Sequence, residues 1–345
     1  MNWRELIGAI ALLATVISRD APAADIASVS IEIVTEPGAA LTASRDWYEV
    51  FTQLGISRLR IRSARGGETP GVEKVGTPRA PEYRVTAVLT GRNVLELPGG
   101  KFGLRDKARL KRWLDEIADL GPEGVTTERT AFGLTPSQLT AVQDDLRQRV
   151  DSSTQNVDAR KVVGLIASRL EHRFELDTGA AKRLQDVTID DELRGVSSGT
   201  ALAYVLHQAG LGFQPLRPPG GELHYRVAVV GPRVMVWPIG WKPAESPLKT
   251  CPDLFEQINV EVTDTPISEV LAALQPRLKI PFLLDHAALR KDDTDIAKLS
   301  ASLPGRRFSY ARILQLTLRE AKLTYELRVD DADQPLLWIW PNRPR

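Results

Sequence analysis

Residues 162–177 and 270–285 carry matching apolar positions and one matching aspartate in the same order. At one constant offset Val162, Ile166, Arg169, Leu170, Phe174, Leu176 and Asp177 align with Val270, Leu274, Arg277, Leu278, Phe282, Leu284 and Asp285. A slightly longer offset aligns Ser197, Leu202, Leu206, Ala209, Leu211 and Phe213 with Ser309, Leu314, Leu318, Ala321, Leu323 and Tyr325. A shorter one aligns Val236-Trp237-Pro238 with Ile339-Trp340-Pro341. Only loop lengths need differ, so residues 149–241 and 255–341 read as an internal duplication. Whatever fold one unit takes must therefore also suit the other.

Each unit opens with an amphipathic helix, because Val162, Val163, Ile166 and Leu170 recur at helical spacing, as do Ile267, Val270, Leu271 and Leu274. A short strand follows, 174–176 or 282–284. A second helix begins at Ser197 or Ser309, each a suitable N-cap because its hydroxyl can accept from an unpaired helix N–H. It closes near Gly210 in the first unit and Lys322 in the second. A hairpin ends each unit, 211–216 with 225–230 and 323–329 with 336–340, and Asp-Asp-Ala-Asp at 330–333 is the second turn. Ile258, Val260 and Val262 alternate as a further strand ahead of the second unit, whereas residues 150–154 do so poorly. Pro276 inside the first helix of the second unit is expected to kink or end it. Pro243, Pro247 and Pro252 mark residues 242–254 as a linker.

Residues 25–148 read as a different α+β module. Residues 30–35 alternate as a strand, Trp47, Val50, Phe51 and Leu54 form a helical stripe, and Leu59 and Ile61 mark a second strand. A Gly- and Pro-rich loop at 66–81 precedes a hairpin of 83–89 and 93–97. Helices follow at 105–120 and 136–146, the latter with Thr135 as cap and Pro136 at its first position. The fold class expected for the chain is thus α+β in three small modules.

At Leu193-Arg194-Gly195-Val196-Ser197, Ala201-Leu202, Leu206 and Ala209-Gly210-Leu211-Gly212-Phe213 the chain resembles the secretin and TonB short N-terminal domain. The second unit carries the same pattern at Leu303-Pro304-Gly305, Ser309, Leu314, Leu318, Ala321, Leu323 and Tyr325, with Lys322 where that family usually has glycine. The resemblance covers about 180 residues. It implies a periplasmic module that contacts other proteins through sheet edges or helix faces and carries no catalysis. Neither unit is followed by a barrel or pore segment, so the transport role of that family is not implied here.

The first 23 residues read as a Sec-type export signal: Trp3-Arg4, an apolar run from Leu6 to Ile17 too short to span a bilayer, and Ala21-Pro22-Ala23 as a cleavage site. An uncleaved anchor is the alternative. The expected location is periplasmic or secreted, with no membrane span after signal removal. Cys251 is the single thiol, so no intramolecular disulfide can form. With 45 Lys+Arg against 44 Asp+Glu, net +1, no cation excess favours nucleic acid as a partner.

Gly195-Val196-Ser197-Ser198-Gly199 satisfies the nucleophile-elbow spacing of hydrolases, but Asp190-Asp191-Glu192-Leu193-Arg194 is no buried strand, and the second unit has Arg307 and Ala311 at the glycine positions. Helix capping by Ser197 is the competing reading. None of His172, His207, His224 and His286 sits in a metal-ligand spacing, and Asp292, Asp293 and Asp295 lack the pattern of a calcium loop. The sequence thus offers no catalytic, cofactor-binding or metal residues. Two interaction surfaces are candidates: Arg58, Arg60 and Arg62 on one strand face, within a basic stretch followed by an acidic one, and Trp237, Trp241, Trp338 and Trp340 at the unit ends. The expected function is a non-enzymatic cell-envelope protein whose duplicated units bind an envelope protein. The alternative is binding of an anionic or glycan envelope polymer, and a hydrolase using Ser197 is third.

Overall fold

A computed structural model describes residues 28–39, 41–77, 80–218, 221–232 and 234–342. The export signal at 1–23 lies outside the described residues. The chain is α+β and divides into two compact units, one running to Thr127 and including residues 218–222, the other holding the rest.

The first unit contains β1 (Val29–Thr35), α1 (Leu41–Gln53), β2 (Leu59–Ser63), β3 (Gly71–Thr77), β4 (Ala80–Leu89), β5 (Leu95–Leu97), β6 (Gly100–Phe102), α2 (Lys107–Leu120) and α3 (Pro122–Thr126). Its sheet runs β2-β1-β4-β5-β6, with β3 also paired to β4. β1 is parallel to both neighbours, so α1 serves as the crossover that a parallel pair requires. Val29, Ile31 and Ile33 meet Trp47, Val50 and Phe51 of α1 and Leu110, Leu114 and Ile117 of α2 in one core. Residues 66–81, expected as loop, contain β3. That strand has no buried residue of its own and is ordered by its antiparallel ladder with β4, so it leaves no hydrophobic signal.

In the second unit, α4 (Pro136–Leu146) is closed by a capping box. The Gln138 N–H donates to the Thr135 hydroxyl while the Thr135 N–H donates to Gln138 Oε1. The sequence groups this helix with the N-terminal module, yet Leu134, Val142 and Leu146 bury into the core that holds Val162, Leu202 and Phe213. Asp145 of α4 is buried and accepts from the Glu171 and His172 N–H groups and the Tyr225 hydroxyl (2.8, 3.2 and 2.7 Å).

Residues 157–229 form β7 (Val157–Asp158), α5 (Ala159–Ala167), β8 (Arg173–Glu175), α6 (Thr178–Arg183), β9 (Thr188–Ile189), α7 (Ser198–His207), β10 (Leu211–Leu216) and β11 (His224–Val229). After α8 (Pro247–Thr250), residues 257–341 form β12 (Gln257–Pro266), α9 (Ile267–Leu278), β13 (Phe282–Leu284), α10 (His286–Lys291), β14 (Ser300–Ser309), α11 (Tyr310–Glu320), β15 (Leu323–Val329) and β16 (Pro335–Pro341). The two segments share element order and pairings. Sheets β10-β11-β8 and β15-β16-β13 each join an antiparallel hairpin to a short parallel strand, while β7 with β9 and β12 with β14 form antiparallel pairs.

Several elements escaped the hydrophobic pattern. α6 and α10 are too short for periodicity, and their cap is the clearer sign: Asp177 accepts from the Ala180 N–H and Asp285 from the Ala288 N–H. α9 runs past Pro276 to Leu278, because a proline in the last turn forfeits a single backbone bond. Much of the Pro-rich linker is helical, and Cys251 and Leu254 are buried in the core of the second segment. Burial pushes the Cys251 thiol above its ordinary value.

Candidate functional site

A buried polar cluster lies where the two segments meet, and its centre is the β15–β16 turn. Asp330 and Asp331 are both buried there. One oxygen of Asp331, Oδ2, accepts from the Ser197 hydroxyl (2.7 Å), the Thr200 N–H (2.7 Å) and the Thr200 hydroxyl (2.9 Å). The other, Oδ1, accepts from the indole N–H of Trp237 (2.8 Å) and of Trp241 (2.9 Å). Asp330 Oδ2 accepts from the Ser197 N–H (2.9 Å), and Oδ1 from the N–H groups of Ala332 and Gln334. Burial raises the Asp330 carboxyl above its ordinary value against these bonds. The Ser197 and Thr200 N–H groups at the start of α7 thus find acceptors on the other segment, while the Ser198 N–H donates to the Gln148 carbonyl.

Ser197 occupies the N-cap position, as expected, but its hydroxyl does not cap its own helix. It donates to Asp331 and accepts from the Asp331 N–H (3.0 Å), and the side chain is 0% exposed. Ser309, at the start of α11, caps in the expected way by accepting from the Arg312 N–H. The glycines of the elbow-like motif have separate structural tasks. Gly195 sits at φ 87°, which glycine alone adopts freely. A Cβ at Gly199 would stand 2.6 Å from Asp331 Oδ2 and 2.9 Å from Trp237 Nε1. Ser197 is therefore enclosed by a carboxylate and backbone, with no histidine among its hydrogen-bond partners.

A second carboxylate crosses the seam in the opposite direction. Asp191 Oδ2 of the first segment accepts from the Leu284 N–H (2.8 Å) and the Tyr204 hydroxyl (2.7 Å), and Oδ1 lies 3.2 Å from His286 Nε2. His207 Nε2 lies 3.0 Å from Asp285 Oδ2. Gln208 accepts from the Ala287 N–H through its side-chain oxygen and from Arg290 through its backbone carbonyl. Desolvation pulls the His286 imidazole down, but Asp191 and Asp190 hold it above its ordinary value. Burial pushes the Asp285 carboxyl up, and His207 with the Ala288 N–H outweighs it, leaving the group lowered. Each segment thus places an acidic side chain against main-chain N–H groups of the other.

The tryptophans pack this seam. Trp237 is buried and stacks on Phe213 and Phe132, with Trp241 edge-on at 5.1 Å. Trp338 is buried and meets Tyr204 and His207 edge-on, and the Arg328 guanidinium lies over both Trp338 and Trp340. Trp241 and Trp340 are half-buried. In the first unit, Arg58 pairs with Glu82 (2.8 Å), Arg60 with Glu32 (3.7 Å), and Arg62 with Glu32 (3.1 Å) and Glu68 (2.6 Å). Arg62 holds the Glu32 and Glu68 carboxyls below their usual range. The three arginines are thus spread among carboxylate partners, which no spacing in their own strand reveals.

Among the described residues no group of three or more His, Cys, Asp or Glu is placed to hold a metal, and no helix is long and apolar enough to cross a membrane. No family model, curated protein or solved structure matches this chain.

Proposed function

We propose that this chain is a non-enzymatic protein of the cell envelope, and that residues 149–241 and 255–341 are copies of one short interaction module of the kind the secretin and TonB resemblance implies. The observation that carries this reading is where the polar chemistry of the second unit is spent. Ser197, Asp331, Asp191, His207 and His286, the residue types from which a reactive centre would be built, satisfy one another or main-chain N–H groups across the seam. Backbone edges remain for contact. β12 and β14 are ten-residue strands that pair only with each other in the described sheets, so each has an outer edge able to accept an added strand.

In-cell crosslinking of the tagged, exported protein, followed by mass spectrometry, tests the proposal. A recurrent envelope protein crosslinked through residues 149–341 is the expected outcome. Self-crosslinks or glycan material alone would transfer the weight to envelope-polymer binding.

A further inference from the structure

A cleft of about 610 Å³ opens between the two segments, walled by the approach to α7 on one side and by the end of α9 and the start of β16 on the other. Arg149 and Arg194 line it from the first segment and Lys279 from the second, and all three side chains are exposed. None of them makes an ion pair among the described residues. The two acids in the same lining are turned to other work. Glu192 accepts from the Thr154 and Arg194 N–H groups, and Asp330 is buried beneath the Ser197, Ala332 and Gln334 N–H groups. Burial pushes the Glu192 carboxyl up, and these donors, the Ser153 hydroxyl and the Arg194 charge bring it below its ordinary value. Arg149 and Lys279 consequently present positive charge with no ion-pair partner among the described residues, and Arg194 adds to it while attracting Glu192.

The remaining lining restricts the ligand. Ala272, Pro276, Pro281 and Pro335 supply apolar contact, and Gln275 and Gln334 supply amides able to pair with a peptide backbone. No aromatic side chain lines the cleft, so neither sugar rings nor nucleobases find a stacking surface. The volume falls in the range of small-ligand sites and exceeds what a bare inorganic anion fills. We propose that this cleft binds an acidic, partly apolar peptide segment of a partner protein, its carboxylates on Arg149, Arg194 and Lys279 and its apolar side chains against Ala272, Pro276 and Pro281. The proposal rests on the protein-interaction reading and gives that partner a chemistry.

The test uses the purified mature chain and a fluorescent acetylated peptide of alternating Glu and Leu, with inorganic phosphate as competitor. Saturable binding is expected that weakens at least about tenfold when Arg149, Arg194 and Lys279 are each changed to Glu, and that falls as salt is raised from 20 to 300 mM, both roughly as expected for exposed charge pairs. Changing the exposed Arg183, Arg312 and Arg319 to Glu should leave affinity within about twofold, since these lie outside the cleft. If the charge-reversed protein fails to fold, the Arg149→Gln, Arg194→Gln and Lys279→Gln combination replaces it, with the same direction of effect. The proposal is overturned by no binding at millimolar peptide, by equal loss in the control set, or by phosphate displacing the peptide at equal concentration. An envelope protein still crosslinked by the charge-reversed chain would overturn the cleft while leaving the protein-interaction reading intact.

Discussion

The sheets β10-β11-β8 and β15-β16-β13 have the same strand order but differ in how many faces they bury. In the first, Tyr225 and Val227 of β11 point into the core while Arg226, paired with Glu175 of β8, lies on the opposite face. In the second, the positions matching Arg226 and Glu175 in register are Trp338 and Leu283, and both are buried. Leu283, Leu336 and Trp338 belong to the core of the first segment, whereas Phe282, Leu337 and Ile339 belong to that of the second. The helices differ accordingly. α7 is buried on every side from Ser198 to Leu206, and α11 buries a single stripe of Tyr310, Ile313, Leu314, Thr317 and Leu318. Two similar patterns thus diverge where one segment leans on the other.

Truncating the shared face should give the largest effect. Trp338→Ala is expected to cost about 4 kcal/mol, as for a buried aromatic, and Arg226→Ala at the matching position less than about 0.5 kcal/mol. Urea unfolding of the two variants measures the difference, and equal costs would mean that the second face of β16 is not buried in solution.

The Asp331→Asn change should come next, at about 3 kcal/mol. The Thr200 N–H and the two indole N–H groups are fixed donors, and an amide must turn its own N–H₂ toward some of them. A calorimetric Tm unchanged within error would remove Asp331 as the lock between the segments.

Gly199→Ala should cost roughly 1–3 kcal/mol because the new methyl presses on Asp331 and Trp237, while Ala311→Gly, at the corresponding place in α11, should cost no more than about 1 kcal/mol through helix propensity. The same denaturant series reads both. A reversed order would show that the start of α7 is not enclosed by Asp331 and Trp237.

The smallest effect concerns pH. A raised His286 adds stability that is fully present below its unfolded value of about 6.5 and is lost as pH rises through the folded value. A lowered Asp285 adds stability present above about 3.8 and lost as pH falls through its folded value. Between pH 6 and 8 the unfolding free energy should therefore decline by less than about 1 kcal/mol, and His286→Asn should flatten that decline. Persistence of the full decline in the variant would assign it to groups other than the pairing of His286 with Asp190 and Asp191.

Much of this architecture was legible before any coordinates. The helical stripe of Val162, Val163 and Ile166, the alternation of β11 and the Thr135-Pro136 start of α4 are local patterns, set by side-chain periodicity and capping chemistry within a few residues. β9 and β14 were not legible, because each is held by a ladder to a strand on the far side of two helices, and β3, which pairs with the adjacent β4, was hidden because it buries no residue of its own. The role of Asp331 was equally hidden. In sequence it is one acid in a four-residue polar turn, and such turns are ordinarily solvated.

By itself, then, the sequence determined the α+β class and the order of most elements, because hydrophobic period and cap residues act over one or two turns. Only the tertiary structure decided that the Asp330-Asp331 turn caps a helix more than a hundred residues away, that Ser197 is enclosed, and that Arg149, Arg194 and Lys279 face one cleft. Those outcomes depend on how the segments dock. Docking is set by the summed burial of Leu283, Leu336 and Trp338 against α7, a property of the assembled surfaces that no local window contains.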